Sequence, residues 1–252
     1  MTTIVVDSMQ VYREIPLITN QARARSAELV GVVSVAEEWT VARHKRRAER
    51  IISSLAPNLP FVLDAGSGMY LNSIVLDVPL APKVPLRVRE EAGKLAMGTQ
   101  NPRREARREE LRIAGAPERG SIWEGEPRYV AAFLYLRPER YDLDRNIMER
   151  SSTIAREGGA EEAKKLAELG VKPNPSVREA IGVREMLLHV AGALSTDEAK
   201  EAIAARTRRL TRRQIRWFDK LARSLPQTAR VLVAENADDR RIKRLMHDTM
   251  GA

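Results

Sequence analysis

The chain has 252 residues, 43% of them apolar, which is long enough to bury a sizeable core and too apolar for a disordered polymer. It contains no cysteine, which excludes disulfides, thiolate metal sites and cysteine nucleophiles; 43 Lys and Arg against 34 Asp and Glu give a formal charge of +9, which favours a polyanionic partner. No apolar run approaches the roughly 18 residues of a spanning helix and no basic, hydrophobic leader opens the chain, so a cytoplasmic protein without membrane contact is expected.

The continuous β-branched run at 3–6 predicts a short buried strand, which delivers Asp7 at its tip within IVVDSMQVYR (4–13). On this pattern an acid serves equally as a general base, a metal ligand or a helix cap, with Ser8 and Gln10 presented beside it. Residues 35–55 read as a helix with Val41, Ala48, Ile51 and Leu55 on its apolar stripe, ended by Pro57 and Pro60. Residues 59–63 form a second apolar strand, followed by a small-residue turn at 65–68 and a helix over 69–76. A strand, crossover helix, strand series predicts a parallel α/β sheet, whose ligands lie beyond the carboxyl ends of the strands. Asp7 and the turn AGSGMY (65–70) share that edge; its glycines permit close approach of a ligand and Ser67 offers a hydroxyl, although chain reversal alone also explains such a turn.

Residues 79–127 read as a charged helical excursion that packs little of itself, and 128–136 as a third strand. Helices are predicted over 144–157, 160–169, 177–191 and 196–224, the last begun by Thr196 and Asp197 as capping residues. After residue 226 the chain reads as a polar tail, in which 231–233 is too short to place. The domain reading is 1–78 with 128–224 as an α/β core with C-terminal helices, 79–127 as a shortened charged insertion, and 225–252 as the tail. His44, His189 and His247 show no metal-ligand spacing and read as surface or packing residues.

In ARTRRLTRRQIRWF (205–218) six arginines, at 206, 208, 209, 212, 213 and 216, occur without an acid. At 100° per residue Ile203, Leu210, Trp217 and Leu221 fall within about 40° of one another, so the helix docks by one face and is basic over the rest. A solvated charged face usually intersperses acids for i,i+4 pairs; six uncompensated guanidinium groups point to phosphates. Arg103, Arg104, Arg107 and Arg108 form a second group, with Glu105, Glu109 and Glu110 among them.

DSMQVYR (7–13), AGSGMY (65–70), NPRREARREEL (101–111), RNIMER (145–150), AIGVRE (180–185) and TRRLTRRQIRWF (207–218) occur in this order over nearly the whole chain. Together they resemble the bacterial tRNA dimethylallyltransferases, also called tRNA isopentenyltransferases; the first and last stretches are the specific ones. The resemblance implies a P-loop NTPase-like parallel sheet with a helical RNA-binding part. It also implies transfer of a dimethylallyl group from dimethylallyl diphosphate to N6 of the adenine adjacent to the anticodon, by a monomer that uses Mg²⁺ through ligands the sequence does not identify.

By the same resemblance Asp7 takes the amine proton and Ser67 is the hydroxyl of a GGTGLY-type turn, in which Ala65 replaces a glycine. Ser8, Met9 and Gln10 would hold the flipped-out adenine. Arg103, Arg104 and Arg107 on one helix, with Arg208, Arg212, Arg213 and Gln214 on another, would meet the tRNA anticodon stem-loop, largely through phosphates. The family opens with a strand, a G-x-T-x-x-G-K-[ST] loop that cradles the diphosphate, and a helix; six residues precede Asp7 and no such loop occurs among the 252. On that ground either the reading frame begins further upstream, or the sheet is expected to lack its first strand and transfer to be impaired; a catalytically inactive tRNA- or RNA-binding homologue stands as the alternative.

Overall fold

β1 (Thr2–Val6) forms where the β-branched run lies, and Ile4, Val5 and Val6 are all but completely buried. It pairs in parallel with β2 (Phe61–Ala65), Val6 opposite Ala65. β2 starts two residues later than the sequence suggests, because Pro60 has no N–H for a ladder. The structure is a computed structural model that describes every residue except 57–58, 77–79, 81, 83, 117–121, 124, 126, 130–131, 171, 226–228 and 251–252, and the side chains of 103, 249 and 250.

Between the two strands, α1 (Val41–Ser54) begins later than the predicted position 35: the Thr40 hydroxyl accepts the Arg43 N–H at 3.2 Å and caps the helix. Residues 35–39 are instead a loop that puts Val35 and Trp39 into the core. Asn174 ties this loop down, its amide donating to the carbonyls of Val35 (2.9 Å) and Glu37 (2.8 Å) while its oxygen accepts the N–H groups of Ser176 and Val177. The loop after Asp7 is fastened in the same manner by the buried Glu162 carboxylate, which accepts from the N–H groups of Leu17 (2.6 Å) and Ile18 (2.9 Å).

α2 (Gly68–Val75) follows β2 directly. The charged excursion is a pair of helices, α3 (Leu86–Leu95) and α4 (Pro102–Ile113); α3 buries Val88 and Ala92. β3 (Ala132–Leu136) then pairs in parallel with β4 (Arg230–Ala234). The segment read as a polar tail therefore contains a strand, and after it α10 (Arg240–Met250). Among the described residues the strands form two separate two-stranded parallel sheets, β1-β2 and β3-β4, where one sheet was expected.

The remaining helices are α5 (Arg140–Arg156), α6 (Gly159–Glu168), α7 (Pro175–Arg178), α8 (Val183–Val190) and α9 (Thr196–Ser224). The helix expected over 177–191 is broken at Gly182, whose φ of +91° suits glycine and whose Cβ would lie 2.7 Å from the Ile18 Cγ2. α9 has the predicted bounds, but Ser195 caps it: the Ser195 hydroxyl accepts the Glu198 N–H and the Glu198 carboxylate accepts the Ser195 N–H at 2.8 Å. No helix among the described residues is long and apolar enough to cross a membrane.

His44 on α1 is completely buried, edge-on to the rings of Trp39 and Tyr70. Trp39 donates its indole N–H to Nδ1 at 3.1 Å, which leaves the imidazole hydrogen on Nε2, facing the Val5 carbonyl without a well-formed hydrogen bond. Burial pushes the imidazole down from its ordinary 6.5 to about 4. Between those values the unfolded chain binds the proton and the folded chain does not, so stability is full above pH 6.5 and drains away as pH falls toward 4. The loss attributable to His44 is on the order of 3 kcal/mol. Denaturant midpoints measured at pH 7, 6, 5 and 4 are expected to fall across this window, and His44→Leu to flatten the fall; a variant that keeps the full slope removes His44 as its source.

Candidate active site and nucleic-acid interface

The parallel register of β1 and β2 brings Asp7 and Gly66 to the same edge. Asp7 Oδ1 accepts two backbone N–H groups, from Met9 at 2.7 Å and Gln10 at 3.2 Å, so the carboxylate closes the turn that follows it. Of the roles open on sequence it therefore fills a capping one with a single oxygen. Oδ2 has no hydrogen-bond partner among the described residues, and a Cβ on Gly66 would stand 2.7 Å from it. Glycine at 66 leaves that oxygen room.

Ser67 belongs to the same cluster. Its N–H donates to the Val6 carbonyl at 3.1 Å, and its hydroxyl oxygen accepts the Ser8 N–H at 3.2 Å, which stitches the tip of β1 to the turn after β2. Met9 packs partly against the core. From the far end of the sequence, Gln214 on α9 donates its amide N–H to the Gly66 carbonyl at 2.7 Å. One turn on, the Trp217 indole N–H donates to the Asn72 side-chain oxygen at 3.2 Å, and its ring lies 4.8 Å from that of Trp123. Asp7, Ser8, Met9, Gln10, Ser67 and Gln214, singled out from three distant stretches, are thus assembled at one edge.

Arg23 was not singled out, and it also reaches this edge. It donates from Nη2 to Gln10 Oε1 at 2.6 Å and from Nη1 to Asp64 Oδ2 at 2.5 Å. An arginine in an irregular loop carries no periodic signal, so nothing in the sequence pointed to it.

The arginine-rich helix divides into two groups. Arg206 pairs with the buried Glu185 at 2.6 Å and Arg208 pairs bidentately with Asp144, at 2.6 and 3.3 Å. Both acids come from other helices, so the expectation that none of the six arginines is compensated is corrected for these two. Arg209, Arg212, Arg213 and Arg216 are exposed and have no carboxylate partner among the described residues. At 100° per residue these four, with the exposed Lys220, occupy an arc of about 100°. That arc is a basic stripe running beside Gln214 and Trp217.

On α4, Arg104 is exposed, while Arg107 pairs with Glu110 and donates to the Pro82 carbonyl at 2.8 Å. The Arg103 side chain lies outside the described residues. No hydrogen bond or ion pair joins α4 to the Asp7 edge among the described residues. A cavity of about 830 Å³ opens elsewhere, at the carboxyl ends of β3 and β4, where Arg137, Arg140 and Arg241 mix with Glu235 and Asp239. Its size does not make it the centre of the chemistry, because it contains none of the converging groups. Among the described residues no three His, Cys, Asp or Glu side chains gather in a way that holds a metal ion. The described side chains at this edge do not form a carboxylate cage for Mg²⁺.

The parallel α/β scaffold carries a polar cluster at its strand tips with a basic helix beside it, and comparison with known proteins assigns it to a class, an enzyme family that acts on tRNA. The IPP transferase family model matches residues 10–114 and 96–221. A tRNA dimethylallyltransferase of Rubrobacter xylanophilus is 58% identical over 255 residues, covering 99% of this chain and 87% of that protein. A tRNA dimethylallyltransferase of a Wolbachia species is 29% identical over 244 residues, covering 85% and 82%. Among solved structures, the tRNA isopentenylpyrophosphate transferase of Bacillus halodurans superposes with a TM-score of 0.71 at 23% identity, over 99% of this chain and 88% of that one. The Staphylococcus epidermidis enzyme of the same description gives 0.69 at 17%, over 100% and 91%. This chain belongs to the IPP transferase family, that of the tRNA dimethylallyltransferases.

Proposed function

We propose that this protein transfers the dimethylallyl group of dimethylallyl diphosphate to N6 of the adenine adjacent to the anticodon of tRNA, releasing pyrophosphate. It acts as a cytoplasmic monomer, and its strand pairs are read as parts of a P-loop NTPase-like sheet. The observation that carries the reading is the Gln214 bond to the Gly66 carbonyl, which fastens the basic helix to the edge that bears Asp7.

In the reaction the N6 lone pair forms the new bond to C1 of the dimethylallyl group. The C1–O bond breaks with its electrons leaving on pyrophosphate, and the surplus N6 proton moves to Asp7 Oδ2. An exocyclic amine is a weak nucleophile, so a base within hydrogen-bond reach matters to the barrier. Asp7 divides its oxygens between two tasks, Oδ1 shaping the turn that holds the adenine and Oδ2 facing the amine. The Ser67 hydroxyl, accepting from Ser8, keeps its own hydrogen to donate to substrate. Ser8, Met9 and Gln10 hold the extruded base. Arg104 and Arg107, with Arg103, and Arg212 and Arg213 take phosphates, while Arg208 does so through Nη1, which its pair with Asp144 leaves unused. When bound with the diphosphate, Mg²⁺ would supply charge neutralisation for the leaving pyrophosphate.

The direct test incubates the protein with tRNA, dimethylallyl diphosphate and Mg²⁺ and weighs the RNA for the added five-carbon group. Tight, salt-sensitive tRNA binding without any adduct selects the inactive RNA-binding homologue instead. The stripe makes a separate prediction. Removing Arg212 and Arg213 together is expected to reduce the steepness of log affinity against log salt by about 1.5, at ~0.7–0.9 per phosphate contact. A salt titration with an unchanged slope takes the stripe out of the interface.

A further inference from the structure

Gln10 stands on the Asp7 turn, and what it offers a ligand is decided by Arg23. A guanidinium has donors and no acceptor. Because Arg23 Nη2 lies 2.6 Å from the Gln10 side-chain oxygen, the amide must turn that oxygen toward Arg23 and its NH₂ group away. Asp64, next to last in β2, grips the same guanidinium at 2.5 Å, so Arg23 is held from both sides at the strand tips. Flipping the Gln10 amide would set NH₂ against guanidinium, donor against donor. The amide nitrogen has no acceptor among the described residues, and the backbone N–H of Gln10 is itself bound to Asp7 Oδ1.

A glutamine reading adenine usually accepts from N6–H with its oxygen and donates to N7 with its nitrogen. Here the acceptor role toward the amine falls to Asp7, and the Gln10 oxygen is engaged. What remains is a donor beside the base, matched to a ring nitrogen that flanks the amine. Resting on the transferase reading above, we propose that Arg23 is a positioning residue which fixes Gln10 as a hydrogen-bond donor, so that the site selects a base with an unprotonated ring nitrogen next to the reacting amine. The Arg23–Asp64 pair acts on specificity through Gln10, without touching the substrate.

The test is a cycle between a protein residue and a substrate atom. Anticodon stem-loop RNAs carrying adenosine, 1-deazaadenosine or 7-deazaadenosine at the reacting position are compared by kcat/KM for the wild type, Arg23→Met and Asp64→Asn. The wild type is expected to lose about five- to tenfold on one of the two analogues, the size of one neutral hydrogen bond. Arg23→Met is expected to shrink that discrimination to under about twofold, and Asp64→Asn to an intermediate value, because an amide that turns freely no longer rewards the ring nitrogen. A purely structural role would slow all three RNAs alike and leave their ratio untouched. Equal discrimination by wild type and both variants overturns the role of Arg23, and indifference of the wild type to both analogues overturns Gln10 as the donor; either leaves the transfer reading intact. Absence of turnover on the adenosine RNA itself sinks that reading, and this inference with it.

Discussion

Asp7→Asn is expected to lower the rate of dimethylallyl transfer by about 10²–10⁴-fold, with tRNA affinity and melting temperature held near the wild-type values. The substitution isolates the chemistry, because asparagine retains a side-chain oxygen that accepts from the N–H groups of Met9 and Gln10 and forms this kind of turn as readily as aspartate. What is lost is the second oxygen, the one with no partner among the described residues, and with it the capacity to take a proton from the amine. Single-turnover rates with saturating RNA, paired with a binding titration and a melt, separate the cases. Undiminished turnover removes Asp7 as the base. A collapse of the melt would instead mean that the turn, and not the proton, is what the carboxylate sustains.

Gly68→Ala is expected to damage both fold and activity, although it adds one methyl group. A Cβ at 68 would stand 2.2, 2.5 and 2.6 Å from the Trp217 Cδ1, Nε1 and Cγ, so it collides with the body of an indole ring and not with the end of a flexible chain. That ring is held by Asn72 and by Trp123, and it leaves only by breaking those contacts. Overpacking of this kind costs about 1–3 kcal/mol. For a chain of this length the melting temperature is then expected to drop by roughly 2–12 °C. The displacement also draws Gln214, one turn away on the same helix, off the Gly66 carbonyl, so kcat/KM is expected to fall more than stability alone explains. Gly93→Ala in α3, where nothing among the described residues lies within 4 Å of the added carbon, is the matched control. If both variants melt and turn over like the wild type, the Trp217 ring does not pack against Gly68.

Legibility in the sequence followed how local the causes were. β1 and α9 were read almost to the residue: one is an unbroken β-branched run, the other 29 residues without glycine or proline behind a serine cap. β4 was not read, because its apolar residues become a strand only by pairing with β3, and a window of three carries no period. The helix expected to begin at 35 starts at 41, since Trp39 and Val35 are claimed by the core before Thr40 can cap. Asp7, Ser67 and Gln214 were legible as parts of motifs, but their meeting was not. Arg206 and Arg208 show the opposite limit. Their own segment holds no acid, yet Glu185 and Asp144 arrive from α8 and α5, so charge counted along one helix overstated the repulsion.

Adjacent residues of α9 fasten both pairs of strands: Gln214 donates to the Gly66 carbonyl beyond β2, and the Ile215 carbonyl accepts the Tyr135 hydroxyl of β3 at 3.5 Å. The same helix bears the guanidinium row on its other flank. A slip of one position along its axis would swing every side chain by 100°, unhooking two strand pairs and misaiming the row in one stroke. Grip and chemistry are geared to a common shaft, so an insertion or deletion in the middle of α9 is expected to disable both at once.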